Sequence, residues 1–332
     1  MYFPITIAVI LIISFLFTLI SKRMKLPPVI GLFIGGIVLG LPYVKDLILA
    51  GNGSIVLYLG DIGFLSLMFL AGLEVSWNVL SKEKKDSAFV AVFASVVPFL
   101  LGFAVFYAMG FPLLTALTVG VCMCITAEAT KGIVLTELRK LKTRAGAIML
   151  EAGIIDEIIG ISIFILLGLF LAENFLLGEE FLLMVGGILA FFFGIMFHRS
   201  LGRENIEGLE SFLVVFIMPF FFVSIGVRAD MISLVLNPLF LAVVLTVAVL
   251  GKIFGTLLTK PFVKMRAKQL YLIGWSMNSR GGVELAIAFI ALKAGMLTTD
   301  IYSSIVIMAL ATTLVFPFII TRMIRKDPKI MN

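Results

Sequence analysis

Apolar stretches of about 20 residues recur along the whole chain, and each is long enough, or nearly so, for a helix that crosses the ~30 Å hydrocarbon layer of a membrane. The strict alternation of apolar and polar residues that marks a membrane β-barrel is absent. The pattern predicts about eleven transmembrane helices, at residues 2–21, 28–44, 55–80, 87–110, 112–138, 145–172, 180–198, 208–227, 235–259, 269–293 and 299–321.

The composition strengthens this prediction. Of the 332 residues, 61% are hydrophobic and 14% are charged, with a mean hydropathy of +1.18, whereas soluble chains hold about 45–50% apolar and about 25% charged residues. Two cysteines, Cys122 and Cys124, and one histidine provide no disulfide framework and no zinc pattern. The fold class is therefore an all-α polytopic membrane protein. We expect no cofactor and no enzyme, since no catalytic sequence motif is present.

The positions of the basic residues predict the orientation in the membrane. Most of the 26 lysines and arginines lie in alternate connections between the predicted spans, at residues 22–25, 82–85, 139–144, 199–203, 260–268 and 322–329. Basic connections face the cytoplasm, so we predict a cell-membrane protein with its N-terminus outside and its C-terminus inside. The net charge of +6 is then charge of these connections, and the expected partner is the lipid bilayer and not a nucleic acid.

Shifting the sequence by 154 residues aligns several unusual segments with one another. Met68–Gly72 falls on Phe222–Gly226, Gly40 on Gly194, and Thr126–Thr130 on Arg280–Glu284. We predict a single transmembrane domain, 1–332, built from two repeats at about 1–172 and 178–325. Corresponding spans are five apart, and this odd number inverts the second repeat in the membrane. Inverted repeats with interrupted helices are typical of secondary transporters.

Several ionisable side chains fall inside the predicted spans, where each costs about 2.5–3.5 kcal/mol. They are Asp61, Glu74, Glu128, Lys131, Glu151, Asp156, Glu157, Lys252, Arg280 and Glu284. Acids outnumber bases, so several acids must face water, hold an ion or carry a proton. Asp156 and Glu157 point about 100° apart on one helix, so one can pair with Lys252 while the other faces a cavity. This arrangement suits a site that exchanges protons for cations.

Two spans contain polar patches that predict interrupted helices. One patch runs from Cys124 to Lys131 and the other from Trp275 to Glu284, with Gly281 and Gly282 as the expected point of unwinding. Unwound backbone would offer oxygen ligands for Na⁺ or K⁺, together with Thr126, Thr130, Asn278 and Ser279. Glu128 and Arg280 can compensate the helix ends. The partner of Arg280 is Glu284, Glu151 or Glu128, which the sequence does not rank.

The sequence resembles the monovalent cation:proton antiporter superfamily, in its Kef- and NapA-like branch. The motifs that carry the resemblance are Leu26–Gly31, Phe69–Glu74, Asp156–Glu157, Pro219–Gly226, Gly251–Lys252 and Ser279–Glu284. The resemblance implies an NhaA-like fold with two crossing broken helices. It also implies a homodimer whose core domain moves like an elevator and exchanges a monovalent cation (Na⁺ first, then K⁺ or Li⁺) for protons by alternating access.

The resemblance further implies roles for individual residues. Glu157 is the main ion- and proton-binding acid, Asp156 is the partner of Lys252, and Thr126 helps to bind Na⁺ or K⁺. The chain departs from the family pattern at Glu157, where the family usually has aspartate, and at Glu128 and Lys131. Two spans of the usual thirteen are missing around residues 172–184, and no C-terminal regulatory domain is expected.

Other functions remain open at this level. A sodium-coupled organic-anion symporter can use the same inverted-repeat plan, and a gated potassium channel or efflux system can use similar oxygen ligands. A membrane-embedded enzyme and a sensor that has lost transport are further alternatives. Proton counterflow distinguishes an exchanger from the symporter, and single-channel conduction would identify the channel.

Overall fold

A computed structural model describes residues 2–24, 26–49, 51–74, 84–171, 178–200, 203–232 and 238–331. Within these ranges every regular element is a helix, which confirms the predicted all-helical class. The end of the predicted third span, at 75–80, and residues 172–177, where the missing spans are expected, lie outside the described residues. The chain forms two compact units, Met1–Val75 with Leu182–Asn237 (unit 1) and Ser76–Phe181 with Pro238–Asn332 (unit 2).

Unit 1 combines helices from both ends of its sequence range. Its helices are α1 (Phe3–Arg23), α2 (Pro28–Gly40), α3 (Pro42–Leu49), α4 (Gly53–Glu74), α9 (Glu179–Ser200), α10 (Arg203–Phe216) and α11 (Met218–Arg228). Helices α1, α2 and α11 begin with a proline in their first turn, where the missing N–H has no helical partner in any case. Helix α2 packs against α1 and α11, and α11 packs against α4.

Glycines bring the helices of unit 1 into backbone contact. A Cβ atom at Gly226 of α11 would overlap the backbone of Gly36 in α2, and one at Gly40 would overlap the backbone of Gly226. A second close approach joins α4 and α9, where a Cβ at Gly194 would overlap the backbone of Phe69 and Gly72. Small residues allow such packing between membrane helices, because lipid supplies no hydrophobic force that drives helices together.

Unit 2 contains the two interrupted helices. Its elements are α5 (Lys84–Ala108), α6 (Leu113–Cys124), α7 (Glu128–Glu137), α8 (Arg144–Leu171), α12 (Pro238–Leu258), α13 (Ala267–Ser276), α14 (Gly282–Lys293), α15 (Thr299–Lys326) and a short 3₁₀ helix (Pro328–Met331). Helix α5 packs against α6, α8 and α12, and α12 also packs against α13 and α15. The interruptions separate α6 from α7 and α13 from α14.

The described helices fit a multi-pass membrane protein. Eight helical segments within the described ranges are long and apolar enough to cross a membrane, and a ninth is added if α2 and α3, which meet at an 86° bend, form one span. Two other predicted spans, 112–138 and 269–293, correspond to the shorter pairs α6–α7 and α13–α14. The predicted count of about eleven spans stays a prediction.

We expect Gly226→Ala to destabilise unit 1, because the added methyl group overlaps the backbone of Gly36. Overpacking of this kind lowers the free energy of unfolding by about 1–3 kcal/mol, which thermal unfolding of the purified protein measures. Gly208→Ala in α10 is the matched control, since a Cβ there meets no atom within 4 Å. Equal unfolding temperatures for the two variants would contradict the proposed backbone contact.

Candidate functional site

The two helix interruptions of unit 2 are hydrogen-bonded to each other. Ile125 and Ala127 are extended between α6 and α7, and Gly281 is extended just before α14. The Ala127 N–H donates to the Ser279 carbonyl at 2.8 Å. This bond partners two backbone groups that the broken helices leave unpaired, as buried N–H and C=O groups require.

A side-chain bond and a close contact add to this junction. The Thr126 hydroxyl oxygen also lies 3.1 Å from the Met277 carbonyl oxygen. A Cβ at Gly281 would overlap the Ala127 side chain, so glycine is needed for the two interrupted segments to approach each other. Gly281 and Gly282 were the predicted point of unwinding, and α14 begins at Gly282.

A fully buried ion pair lies at this junction. The Lys252 ammonium lies 2.9 Å from Asp156 Oδ2, and both side chains are 0% exposed. The Thr126 hydroxyl contacts both groups, as an acceptor from Lys252 at 2.8 Å and as a donor to Asp156 Oδ2 at 2.5 Å. Asp156 Oδ1 has no hydrogen-bond partner among the described residues. One oxygen of this carboxylate therefore stays available to a ligand.

Helix packing positions Lys252 deep inside unit 2. Helix α12 approaches α5 at Gly251, where a Cβ would overlap Pro98. The adjacent Lys252 then reaches the end of α6, where its ammonium donates to the Cys124 carbonyl. A lysine that extends to the membrane surface would be exposed, whereas Lys252 is among the largest fully buried side chains.

Glu157 follows Asp156 on α8 and is also buried, with 7% of its surface exposed. The two carboxylates diverge by about 100° around the helix axis. Asp156 points to Lys252 and Thr126. Both predicted ion-binding acids are therefore buried, and both belong to one helix of unit 2.

Arg280 also compensates the end of α6. Its guanidinium donates to the carbonyls of Cys122 at 3.1 Å and Ile125 at 2.8 Å, and it lies 3.6 Å from Glu284. Cationic groups are favourable at the carbonyl end of a helix, where the helix dipole is negative. Among the three acids that the sequence offered as its partner, the structure places Glu284 beside Arg280.

The two other acids have their own contacts. Glu151 accepts a hydrogen bond from the Ser87 hydroxyl at 2.6 Å. Glu128 is paired with Lys131 at 2.7 Å. Lys131 also donates to the Met149 carbonyl at 2.9 Å, a contact that the sequence does not predict. The spacing of three residues, which places Glu128 and Lys131 on one helix face, is the sequence signal for their pair but not for the contact with Met149.

Some of the other predicted ligands lie within helices, and others lie in the interruption between α13 and α14. Thr130 lies inside α7 and Glu284 inside α14, each within the helix that follows an interruption. The Asn278 side-chain amide donates back to the Gly274 carbonyl at 3.0 Å. The Asn278 Oδ1 atom and the Ser279 hydroxyl have no hydrogen-bond partner among the described residues.

The donors at this site are oxygens suited to a hard monovalent cation. Among the described residues, no group of three or more histidine, cysteine, aspartate or glutamate side chains is placed to hold a metal ion. The junction instead combines carboxylate, hydroxyl and carbonyl oxygens with the Lys252 ammonium. Hard cations prefer such oxygens, and the ammonium provides a charge that a cation or proton can replace.

Comparison with known families identifies the chain. The profile of the sodium/hydrogen exchanger transmembrane family matches residues 9–200 and 162–326. The chain belongs to this family. Among curated relatives of this exchanger, it is 28% identical to the Na⁺/H⁺-K⁺ antiporter GerN of Bacillus cereus, with 94% of this chain and 93% of the relative covered. It is 26% identical to a Na⁺/H⁺ antiporter of Enterococcus hirae, with 92% of this chain and 94% of the relative covered.

A solved structure shares the fold of this exchanger. The sodium proton antiporter MjNhaP1 of Methanocaldococcus jannaschii superposes with a TM-score of 0.70 at 16% sequence identity, over 97% of this chain and 100% of that one. The alignment with GerN extends over 364 positions, more than the 332 residues of this chain. GerN therefore contains segments that this exchanger lacks.

We expect Thr126→Val to destabilise unit 2, because valine keeps the side-chain shape but removes a hydroxyl that contacts Asp156 and Lys252. A hydrogen bond to a charged group contributes about 1.5–3 kcal/mol, which thermal unfolding measures. Thr118→Val is the control, since this buried hydroxyl donates only to the Leu114 carbonyl of its own helix. A Thr126→Val protein as stable as the control would exclude this role of the hydroxyl.

Proposed function

We propose that this protein is a secondary active transporter that exchanges a monovalent cation, Na⁺ first, for protons by alternating access. The observation that carries the proposal is the Asp156 carboxylate, which is fully buried, paired with Lys252 and held by Thr126 where the two helix interruptions meet. A carboxylate in this position binds either a proton or a cation, and the lysine compensates its charge when neither is bound.

Electrostatics gives the order of events at this site. Removing both charges of Asp156 and Glu157 from water is unfavourable unless positive charge accompanies them. A proton or a cation on Glu157, with Lys252 on Asp156, satisfies this condition. We infer that a cation reaching both acids displaces the Lys252 ammonium, and that protons displace the cation in turn. Protons and the cation therefore compete for the same carboxylates, which couples their movement.

The burial of the network makes a conformational step necessary. Asp156, Thr126 and Lys252 are 0% exposed, so an ion cannot reach them from water in this arrangement. We infer that unit 2 opens the site to one side of the membrane and then to the other. The cargo is the cation itself, bound as substrate by Asp156, Glu157 and Thr126, and no resident cofactor is needed.

The relatives support the choice of substrates. The names of GerN and of the Enterococcus hirae antiporter give Na⁺ and H⁺ as their ions, and the name of GerN also gives K⁺. Glu157 has a longer arm than the aspartate usual in the family, and a longer arm changes the cavity that surrounds the ion. We therefore propose Na⁺ first and K⁺ or Li⁺ as further substrates.

The proposal also covers the oligomeric state, the membrane, the orientation and the origin of the fold. We propose a homodimer in the cell membrane, with the N-terminus outside and the C-terminus in the cytoplasm, and an inverted duplication of one sequence unit. The duplication is supported by the glycine contacts of unit 1, because the shift that carries Gly40 to Gly194 also carries Gly72 to Gly226. Contact of Gly40 with Gly226 thus becomes contact of Gly194 with Gly72, and both contacts are present.

We expect Glu157→Gln to abolish cation-dependent proton movement, because the amide cannot carry the charge that a cation or proton neutralises. The measurement is a pH-sensitive dye inside proteoliposomes, titrated with Na⁺, K⁺ and Li⁺. Glu137→Gln is the control, since Glu137 is an exposed residue at the end of α7, and it should retain wild-type exchange.

The same assay distinguishes the rival functions. Undiminished exchange in Glu157→Gln would remove this residue from the mechanism. Substrate-dependent Na⁺ uptake by the wild-type protein without proton counterflow would indicate a symporter. Unitary currents in planar bilayers would indicate a channel.

We expect Lys252→Met to lower stability and coupling more than cation affinity, because Asp156 then lies buried without its positive partner. Loss of one partner of a buried ion pair costs about 3–5 kcal/mol, which thermal unfolding measures. The double variant Asp156→Asn/Lys252→Met removes both charges and should recover most of this stability. A Lys252→Met protein as stable as wild type would show that the pair is not needed for the fold.

A further inference from the structure

A second buried ion pair lies in unit 2, and the exchange proposed at Asp156 and Glu157 does not use it. The Lys131 side chain is 1% exposed, and its ammonium lies 2.7 Å from Glu128 Oε1. The same ammonium donates to the Met149 carbonyl at 2.9 Å and lies 3.7 Å from the Met277 sulfur. A carboxylate oxygen and a carbonyl oxygen thus hold one positive charge in the interior.

Gly153 of α8 makes room for this pair. A Cβ at Gly153 would overlap the Glu128 carboxylate and the Lys131 ammonium. Gly153 precedes Glu157 by four residues, and residues at this spacing lie on one face of a helix. The Glu128 carboxylate therefore lies against α8 about one helical turn from Glu157.

Lys131 is what compensates the charge of Glu128. The Glu128 side chain is 10% exposed, and apart from the Lys131 ammonium neither carboxylate oxygen has a hydrogen-bond partner among the described residues. A buried carboxylate stays ionised only where positive charge accompanies it. Here the positive charge is covalently attached three residues along the same helix, so it cannot be exchanged with solvent.

The surroundings of the Lys131 ammonium are those of a small cation. Carboxylate and carbonyl oxygens are the ligands that hard cations take. The Lys252 ammonium has the same two kinds of partner, the Asp156 carboxylate and the Cys124 carbonyl. The two ammonium groups therefore have chemically similar partners on α8, one beside the proposed exchange site and one about a turn away from it.

We propose that Glu128 and the Met149 carbonyl form a second position for a monovalent cation, and that the Lys131 ammonium occupies it permanently. The lysine closes this position to Na⁺, K⁺ and protons and restricts exchange to Asp156 and Glu157. The inference rests on the proposed antiport and deepens it, because Lys131 then fixes how many ions each transport cycle carries.

The test replaces the ammonium and keeps the size of the side chain. In Lys131→Met, Glu128 must take up a cation or a proton, and alkaline pH favours the cation. The measurement is equilibrium binding of radioactive Na⁺ or Rb⁺ to the purified protein. Binding should saturate at about twice the wild-type amount, since one position becomes two. The double variant Glu128→Gln/Lys131→Met lacks the carboxylate and should return to the wild-type amount.

Two controls keep the result interpretable. Lys131→Arg retains the positive charge and should bind as the wild type does. Lys131→Gln retains a donor for the Met149 carbonyl and replaces Lys131→Met if that protein is not recovered as a folded species on gel filtration. Unchanged saturation in the charge-removing variant, or doubled saturation that persists without Glu128, overturns the proposal.

The outcome is separable from that of the proposed function. Proton flux coupled to Na⁺ in wild-type proteoliposomes, abolished by Glu157→Gln, tests the antiport itself and involves no change at Lys131. If exchange is present and the Lys131 variants bind as the wild type does, only the second cation position is wrong. If the wild type shows no exchange, the antiport fails, and doubled binding in Lys131→Met still reports on Glu128.

Discussion

The buried pair of Asp156 and Lys252 is the interaction on which the rest of unit 2 depends. Two charges removed from water are tolerated only when their attraction and additional hydrogen bonds offset the lost hydration. The helix interruptions supply those bonds, because ending α6 at Cys124 frees a carbonyl for Lys252 and brings the Thr126 hydroxyl to both charges. The interruption and the ion pair therefore stabilise each other.

The same relation holds for the other charged groups around the interruptions. Arg280 lies farther from its acid, at 3.6 Å, than Lys252 and Lys131 lie from theirs, and it donates instead to the carbonyls at the end of α6. Its main electrostatic partner is thus the broken helix. Glu128 and Glu284 each lie in the first turn of a helix, where a negative charge is favourable.

Several features of the site were predictable because they follow from local chemistry. An acid or a base within an apolar span needs a partner, so Asp156 and Lys252 stood out, and Gly281 beside polar residues indicated the second interruption. The polar patch around Thr130 did not indicate at which residue the helix resumes. Helix α7 already begins at Glu128, and Thr130 is part of it.

The sequence alone determined the membrane class, the family and the residues that bear charge inside the spans, since these follow from the length of apolar runs and from the energetic cost of burying an ion. Only the tertiary structure decided the pairings. It joined Arg280 to Glu284 and Lys131 to Glu128 and the Met149 carbonyl. Such contacts depend on how closely two helices approach each other. Glycines such as Gly153 permit the approach, but the periodicity of a sequence does not predict which helices meet.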